Sequence, residues 1–517
     1  MHSFTYDRTF AIAQTTEGPV RGFEHDRILT FRGIPYAQAR RFHAPEPAEK
    51  HEDILDATSY GYVCPLLSQE KPKGEIYVPH RYWLQSEDCL NLNIWTPALD
   101  GARRPVMFWM HGGGYSAGSA IEHIAYDGHA MALNGDVVVV TVNHRLNLLG
   151  YLDLSAYGKE YENSGNAGGD DLIAALKWVH ENIAGFGGDP ENVVIFGQSG
   201  GGGKVTTLLQ SPAADGLYAK GYVMSGVIGM LGDPKGEPQE LAEALMEKLG
   251  VNDVAGLERV PYAALAEAYE ALAPAFRKAG KYLGCLPTPN AHYLGDPLVH
   301  GFRPETSQVP LLIGTVLGEF TSFAPGPFDK HVMTEEKQRE VLLQYIPEDT
   351  LRTLETLYRA CYPERPLLDL VRVDTLFREP TIAYIRTRAA LNSSTYSYLF
   401  TMDQPVFGGL APWHCSDIPY VFHNIDLVDY PNGSPDAGAM QEMIFRSVMA
   451  FARTGDPAND LLPAWPACTP ECESTMLLDA SPKCAENFDH QLIPAVRSAF
   501  APAMARIMKD LSGQAQH

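Results

Sequence analysis

The apolar residues of this chain gather in short unbroken runs. They occupy residues 106–110, 137–142, 193–196, 222–225, 311–314 and 396–400, and most are rich in Val, Ile, Leu or aromatic side chains. Segments with helical spacing lie between them, most clearly over residues 170–179. A strand that is apolar on both faces must be covered on both faces. Strands of that kind, alternating with helices, specify an α/β class: a mostly parallel, twisted sheet flanked by helices. In such sheets, binding and catalytic groups collect beyond the carboxyl ends of the strands.

The run at 193–196 leads into Gly197-Gln198-Ser199-Gly200-Gly201-Gly202-Gly203-Lys204, followed by a helix-like segment to Gln210. Gly197, Ser199 and Gly201 fill a Gly-x-Ser-x-Gly pattern. A strand that reverses sharply into a helix leaves no room for side chains beside the turn. Glycines relieve that crowding and present the serine hydroxyl in a strained, exposed pose. Glycines within a helix cost about 1 kcal/mol each relative to alanine, so close backbone approach is expected to offset them. Gly203-Lys204 also resembles the end of a phosphate-binding loop. That motif requires Gly where Gln198 stands and Ser or Thr where Val205 stands, so a nucleotide site is excluded.

A second glycine run, His111-Gly112-Gly113-Gly114-Tyr115, follows the strand ending at Met110. Backbone N–H groups can turn inward there with no Cβ in the way. The general serine-hydrolase arrangement places oxyanion donors in such a loop and on the residue after the nucleophile. Those positions are Gly113, Gly114 and Gly200. Serine also needs a base. His414, in Pro412-Trp413-His414-Cys415-Ser416-Asp417, follows the strand at 396–400 and a glycine loop at 407–409; His423 lies close by and is the alternative. Glu319 follows the strand at 311–315 and falls between Ser199 and His414 in sequence. It is therefore the candidate third member, which would orient the imidazole.

Size and composition set limits on the rest. A chain of 517 residues with 45% apolar and 20% charged residues has an ordinary globular balance and a large core. A net charge of −23 disfavours nucleic acid and anionic membranes as partners. Residues 1–21 show no signal-peptide pattern, and no run approaches a membrane span, so the expected location is cytoplasmic, or secreted if a leader has been removed. Eight cysteines are too sparse for a disulfide scaffold, and Cys468 and Cys472 lack further zinc ligands, so no metal or cofactor is expected. Without repeats or low-complexity tracts, residues 1–517 read as a single elaborated domain. Helical cap insertions are expected at about 238–302 and 334–391. Residues 4–32 read as an antiparallel meander, 44–85 as irregular, 90–95 as a half-exposed strand, and 440–511 as helices around a Pro-rich linker.

Several further stretches carry a resemblance. They are Phe31-Arg32-Gly33-Ile34-Pro35-Tyr36-Ala37, Ser86-Glu87-Asp88-Cys89-Leu90-Asn91-Leu92-Asn93-Ile94, Val142-Asn143-His144-Arg145-Leu146, Gly165-Asn166-Ala167-Gly168 and residues 182–190, together with His111–Tyr115. Over most of its length the chain resembles the type-B carboxylesterases, the cholinesterase-like branch of the α/β-hydrolase fold. The resemblance implies Ser199 as nucleophile, Glu319 as acid and His414 as base, which favours His414 over His423. It implies hydrolysis of small-molecule carboxylic esters through an acyl-enzyme; a monomer or weak homo-oligomer is expected. It also implies that Cys64 and Cys89 correspond to a disulfide pair. Narrower feruloyl-type, lipase-like or carbamate-cleaving activities use the same machinery. A non-catalytic adhesion role, as in the neuroligin branch, fits poorly with a candidate triad. The chain departs from the family at Gln198, where Glu is usual, at Gly200, where Ala is usual, and at Gly318, where Asp often stands. The segment after Ala37 is shortened. Glycine at 200 is expected to keep the N–H donor while loosening the turn.

Overall fold

The computed structural model describes residues 3–67, 80–228, 235–320, 330–503 and 506–507, except for the Phe407 side chain. The described chain divides into two compact units, one of residues 3–67, 80–223 and 235–309, the other of residues 224–228, 310–320, 330–503 and 506–507. Part of the irregular stretch expected at 44–85 (68–79), and the end of the C-terminal segment expected to 511 (508–511), lie outside the described residues.

In the first unit, strands β1 (Phe4–Thr5), β2 (Phe23–His25), β3 (Ile28–Pro35), β4 (Asn91–Thr96), β5 (Arg104–Met110), β6 (Val138–Val142), β7 (Gly188–Gln198) and β8 (Lys220–Met224) lie in the order β1-β2-β3-β4-β6-β5-β7-β8, the unit taking β8 as far as Val223. The amino-terminal strands pair antiparallel, as the meander reading requires. β6, β5 and β7 are parallel, with Phe108 level with Val140 on one side and Ile195 on the other. These runs are apolar on both faces because both faces are buried: Val106, Phe108, Val140, Val193 and Ile195 are fully covered. Each such aliphatic or aromatic side chain contributes about 1.5–3 kcal/mol on burial.

β4 corrects the sequence reading. Its alternation of Asn and apolar residues suggested one solvent-facing side, yet all of Asn91–Thr96 is buried. The polar face is satisfied internally. Asn91 Nδ2 donates to the Tyr62 carbonyl at 2.8 Å. Asn93 Nδ2 donates to Thr141 Oγ1 at 3.0 Å and its Oδ1 accepts from the Gly33 N–H at 3.0 Å.

Helix α1 (Ala167–Asn182) buries Leu172, Ala175, Leu176 and Val179, a stripe at helical spacing. It also buries Asp171, whose carboxylate takes a bidentate grip from Arg145 at 2.6 and 2.8 Å. Arg145 Nη1 donates in turn to the His43 carbonyl at 2.7 Å, so one guanidinium ties the loop after β6 to α1 and to the amino-terminal region. Helices Gln239–Leu249 and Tyr262–Ala279 occupy part of the stretch expected to form the first insertion. Their Leu241, Leu245, Leu265 and Tyr269 pack with Leu148 and Leu152.

In the second unit, β9 (Leu311–Val316), β10 (Thr395–Phe400) and β11 (Ser474–Leu478) run parallel, and β12 (Lys483–Glu486) returns antiparallel beside β11. β11 and β12 fall in the region read from sequence as helices around a linker. Helices are present there too, at Ala437–Thr454 and Leu492–Phe500. Helix Glu348–Cys361 buries Leu351, Leu354 and Tyr358 against Leu492, Ile493 and Val496.

Candidate active site

β7 ends at Gln198 and helix α2 (Gly200–Leu209) begins two residues later. Ser199 is the whole turn. Its backbone sits at φ 59°, ψ −126°, a region strained for a residue with a Cβ. Its hydroxyl does not bond back to cap α2. The side chain is therefore presented at the positive end of a helix, where a developing anion is favoured. The helix starts earlier than the sequence suggested and takes in all four glycines. Packing explains why they are tolerated. A Cβ on Gly201 would stand 2.0 Å from the Met110 carbonyl oxygen, so only glycine lets α2 approach β5 so closely.

The loop after β5 brings the other glycines to this turn. Gly113 and Gly114 are solvent-exposed and adopt φ of 88° and 58°. A Cβ on Gly200 would lie 2.5 Å from the Gly114 nitrogen. The loosening expected at position 200 is thus replaced by closer contact. The missing methyl group makes room for the loop. Ser199, Gly200, Gly113 and Gly114 are gathered within the first unit.

Glu319 and His414 are gathered within the second. Glu319 follows β9 and is fully buried. Its Oε1 accepts from the Val316 N–H at 3.1 Å, and its Oε2 lies 2.5 Å from His414 Nδ1. The backbone N–H of His414 also donates to the Glu319 carbonyl at 2.9 Å. Phe377 stacks on the imidazole at 5.0 Å. His423, the alternative base, instead meets the partly exposed Glu442 at 2.9 Å.

Two more carboxylates surround this pair and were not anticipated. Asp417 is buried, and its Oδ2 accepts from the Tyr398 hydroxyl at 3.1 Å. Burial, and then the charge of Glu319, push it up to about 7. Asp374 is raised by the same causes in the same order, although the N–H groups of Leu376, Phe377 and Arg378 all bond to it. Asp417 stands three residues after His414, a closeness in sequence that could have flagged it. Asp374 is remote in sequence and carried no such signal. Lys204, weighed from sequence only as a phosphate-loop lysine, is fully buried, and its Nζ donates to the His111 carbonyl at 2.8 Å.

Cys64 and Cys89 are both buried thiols here and not a disulfide. The Cys89 thiol is held up first by its hydrogen bond with Cys64 and then by burial. Among the described residues no group of His, Cys, Asp and Glu is arranged to hold a metal. No described helix is long and apolar enough to cross a membrane.

Parallel strands covered by helices, with a strained serine between strand and helix, place the chain in the α/β-hydrolase class. The sequence profile of the carboxylesterase family matches residues 10–493. Para-nitrobenzyl esterase of Bacillus subtilis (strain 168) is 32% identical over 494 residues, covering 91% of this chain and 95% of that protein. Phenmedipham hydrolase of Pseudarthrobacter oxydans is 30% identical, covering 89% and 93%. Among solved structures, an esterase from the anaerobe Clostridium hathewayi, described as able to hydrolyze aliphatic aromatic polyesters, superposes with a TM-score of 0.93. It is 45% identical and covers 96% of this chain and 100% of its own. The chain belongs to the carboxylesterase family and is a carboxylic ester hydrolase that takes small-molecule esters.

Proposed function

We propose that Ser199 is the nucleophile of this hydrolase, His414 its general base and Glu319 the carboxylate that orients the imidazole. His414 takes the proton of Ser199 as the oxygen attacks the ester carbonyl. The N–H groups of Gly113, Gly114 and Gly200 receive the oxyanion, each worth about 3 kcal/mol in the transition state. His414 returns the proton to the departing alcohol, and water releases the acyl group by the same sequence of steps. The observation that carries this reading is the 2.5 Å contact between buried Glu319 and His414 Nδ1, which directs the other ring nitrogen to proton transfer. A fluorophosphonate probe followed by mass spectrometry should label Ser199. Ser199→Ala should fold normally and lose roughly 10⁶-fold in kcat. Near-normal turnover of that variant would defeat the assignment.

As substrates we propose esters with an aromatic group on one side of the scissile bond. The support is the activity for which two relatives are named, para-nitrobenzyl esterase and the esterase able to hydrolyze aliphatic aromatic polyesters. A p-nitrophenyl ester series, run beside purely aliphatic esters and a short aliphatic–aromatic oligoester, tests this. Equal kcat/KM for aliphatic and aryl members would reject it. The net charge of −23 favours a monomer or weak homo-oligomer through mutual repulsion, which light scattering across a salt series would measure.

A further inference from the structure

We propose that Lys204 is a positioning residue for ester hydrolysis, gripping the His111 carbonyl so that the Gly113–Gly114 backbone is held in register with Ser199. The inference rests on the oxyanion role assigned to that loop. Three observations on the first unit support it.

The first is the position of the ammonium group. Lys204 lies in the opening turns of α2, the helix that Ser199 precedes, and is fully buried. Its Nζ donates to the His111 carbonyl at 2.8 Å and stands 5.8 Å from the Tyr115 ring. Among the described residues no carboxylate forms an ion pair with it. Burial, the dominant cause, pushes its ammonium down to about 7 against the opposing influence of Cys64 and Glu122. A buried charge without a carboxylate partner is costly, and an apolar side chain would fill the same space at lower cost. The neighbouring His111 and His144 rings, 5.2 Å apart and stacked, are driven well below the usual histidine range, by burial first and then by Lys204.

The second is that α2 holds both ends of the glycine loop. Lys204 holds residue 111. Thr207, three residues on and so on the same helix face, hydrogen-bonds the Tyr115 hydroxyl at 3.0 Å. Gly203 leaves room for that ring, since a Cβ there would stand 2.7 Å from the Tyr115 hydroxyl oxygen.

The third is the loop itself. Between the two anchors lie only Gly112, Gly113 and Gly114, which have little conformational preference of their own. Their N–H directions are set by what pins the two ends together with the Gly113 carbonyl, which accepts from the Ser116 and Ala117 N–H groups at 3.0 Å. Losing one anchor should weaken the grip on the oxyanion more than the grip on neutral substrate.

The test is Lys204→Met in the full chain, assayed on a p-nitrophenyl ester and on an aryl trifluoromethyl ketone, which adds to serine to give an anionic tetrahedral adduct. The expected result is a fall in kcat of about 10- to 100-fold with KM within about twofold, matched by an equal loss of ketone affinity. Unchanged kcat and ketone affinity in the folded variant, or a rise in KM at constant kcat, would overturn the proposal. If Lys204→Met does not fold, Lys204→Leu, which likewise offers the His111 carbonyl no donor, is read in the same way: parallel losses support the role and unchanged values overturn it. Ser199→Ala is run alongside. Retained hydrolysis there would sink the nucleophile assignment, whereas an inactive Ser199→Ala beside an unaltered Lys204→Met would sink the Lys204 role alone.

Discussion

Glu319 holds His414 through two bonds: its carboxylate faces Nδ1 at 2.5 Å, and its own carbonyl accepts the His414 backbone N–H at 2.9 Å. The second bond does not depend on charge. Glu319→Gln should therefore keep the two residues together while replacing an acceptor with an amide that can donate to Nδ1. That would put the proton on the wrong ring nitrogen. A fall in kcat of about 10³- to 10⁴-fold is expected, with KM little changed. Steady-state kinetics with p-nitrophenyl acetate measures it, and a loss of less than tenfold would contradict the orienting role.

Gly200→Ala restores the residue usual in related enzymes but should be harmful here. The added methyl would stand 2.5 Å from the Gly114 nitrogen, and backbone must shift to admit it. Because the crowded atom belongs to the proposed oxyanion loop, kcat should fall by about 10- to 100-fold. The melting temperature should change little, since alanine favours the helix that begins at this position. Wild-type kcat in this variant would show that the loop yields without consequence.

Asp417 gives a pH signature in stability. Its carboxyl is raised from an ordinary 3.8 to about 7 in the fold. Between those values the native state binds more protons than the unfolded chain, so stability is greatest at the acidic end. It declines as pH rises towards 7, by at most about 1.4 kcal/mol per pH unit for this group. Asp417→Asn removes the titration. Thermal melts should show the variant more stable than wild type at pH 8, with the difference shrinking towards pH 5. A gap independent of pH would mean the carboxyl titrates normally.

Asp171→Asn should be the most destabilising of these changes. It leaves the Arg145 guanidinium, 2% exposed, without its buried carboxylate. Breaking one side of such a pair costs about 3–5 kcal/mol. Urea denaturation followed by tryptophan fluorescence would measure the loss. A shift below about 1 kcal/mol would show that water or the neighbouring carbonyls compensate for the missing charge.

Local chemistry was the legible part of this sequence. The runs at 106–110 and 193–196 announced buried parallel strands because no polar residue interrupts them. The serine turn was visible because glycine is required where backbone meets backbone. The limits came from contacts between distant residues. Asn91 and Asn93 alternate like solvent-facing positions, and only their partners Tyr62, Gly33 and Thr141 show that the polar face is buried. β11 is a five-residue strand whose parallel neighbour, Thr395–Phe400, lies more than seventy residues earlier. Asp374 gains its high proton affinity from burial first and then from the charge of Glu319, a residue far away along the chain. Lys204 reads as an ordinary helix residue until its burial is seen.

The glycine-built opening of α2 has a consequence for heat inactivation. Those residues have the weakest intrinsic helical preference apart from proline, and they are held by close contact with the end of β5, which Gly201 meets, and with the loop after it, which Gly200 and Gly203 meet. A brief retreat of this turn would displace Ser199 and the Gly200 amide together, while the sheets behind them remain intact. Catalysis should therefore fail at temperatures where circular dichroism still reports a native molecule, and it should return on cooling.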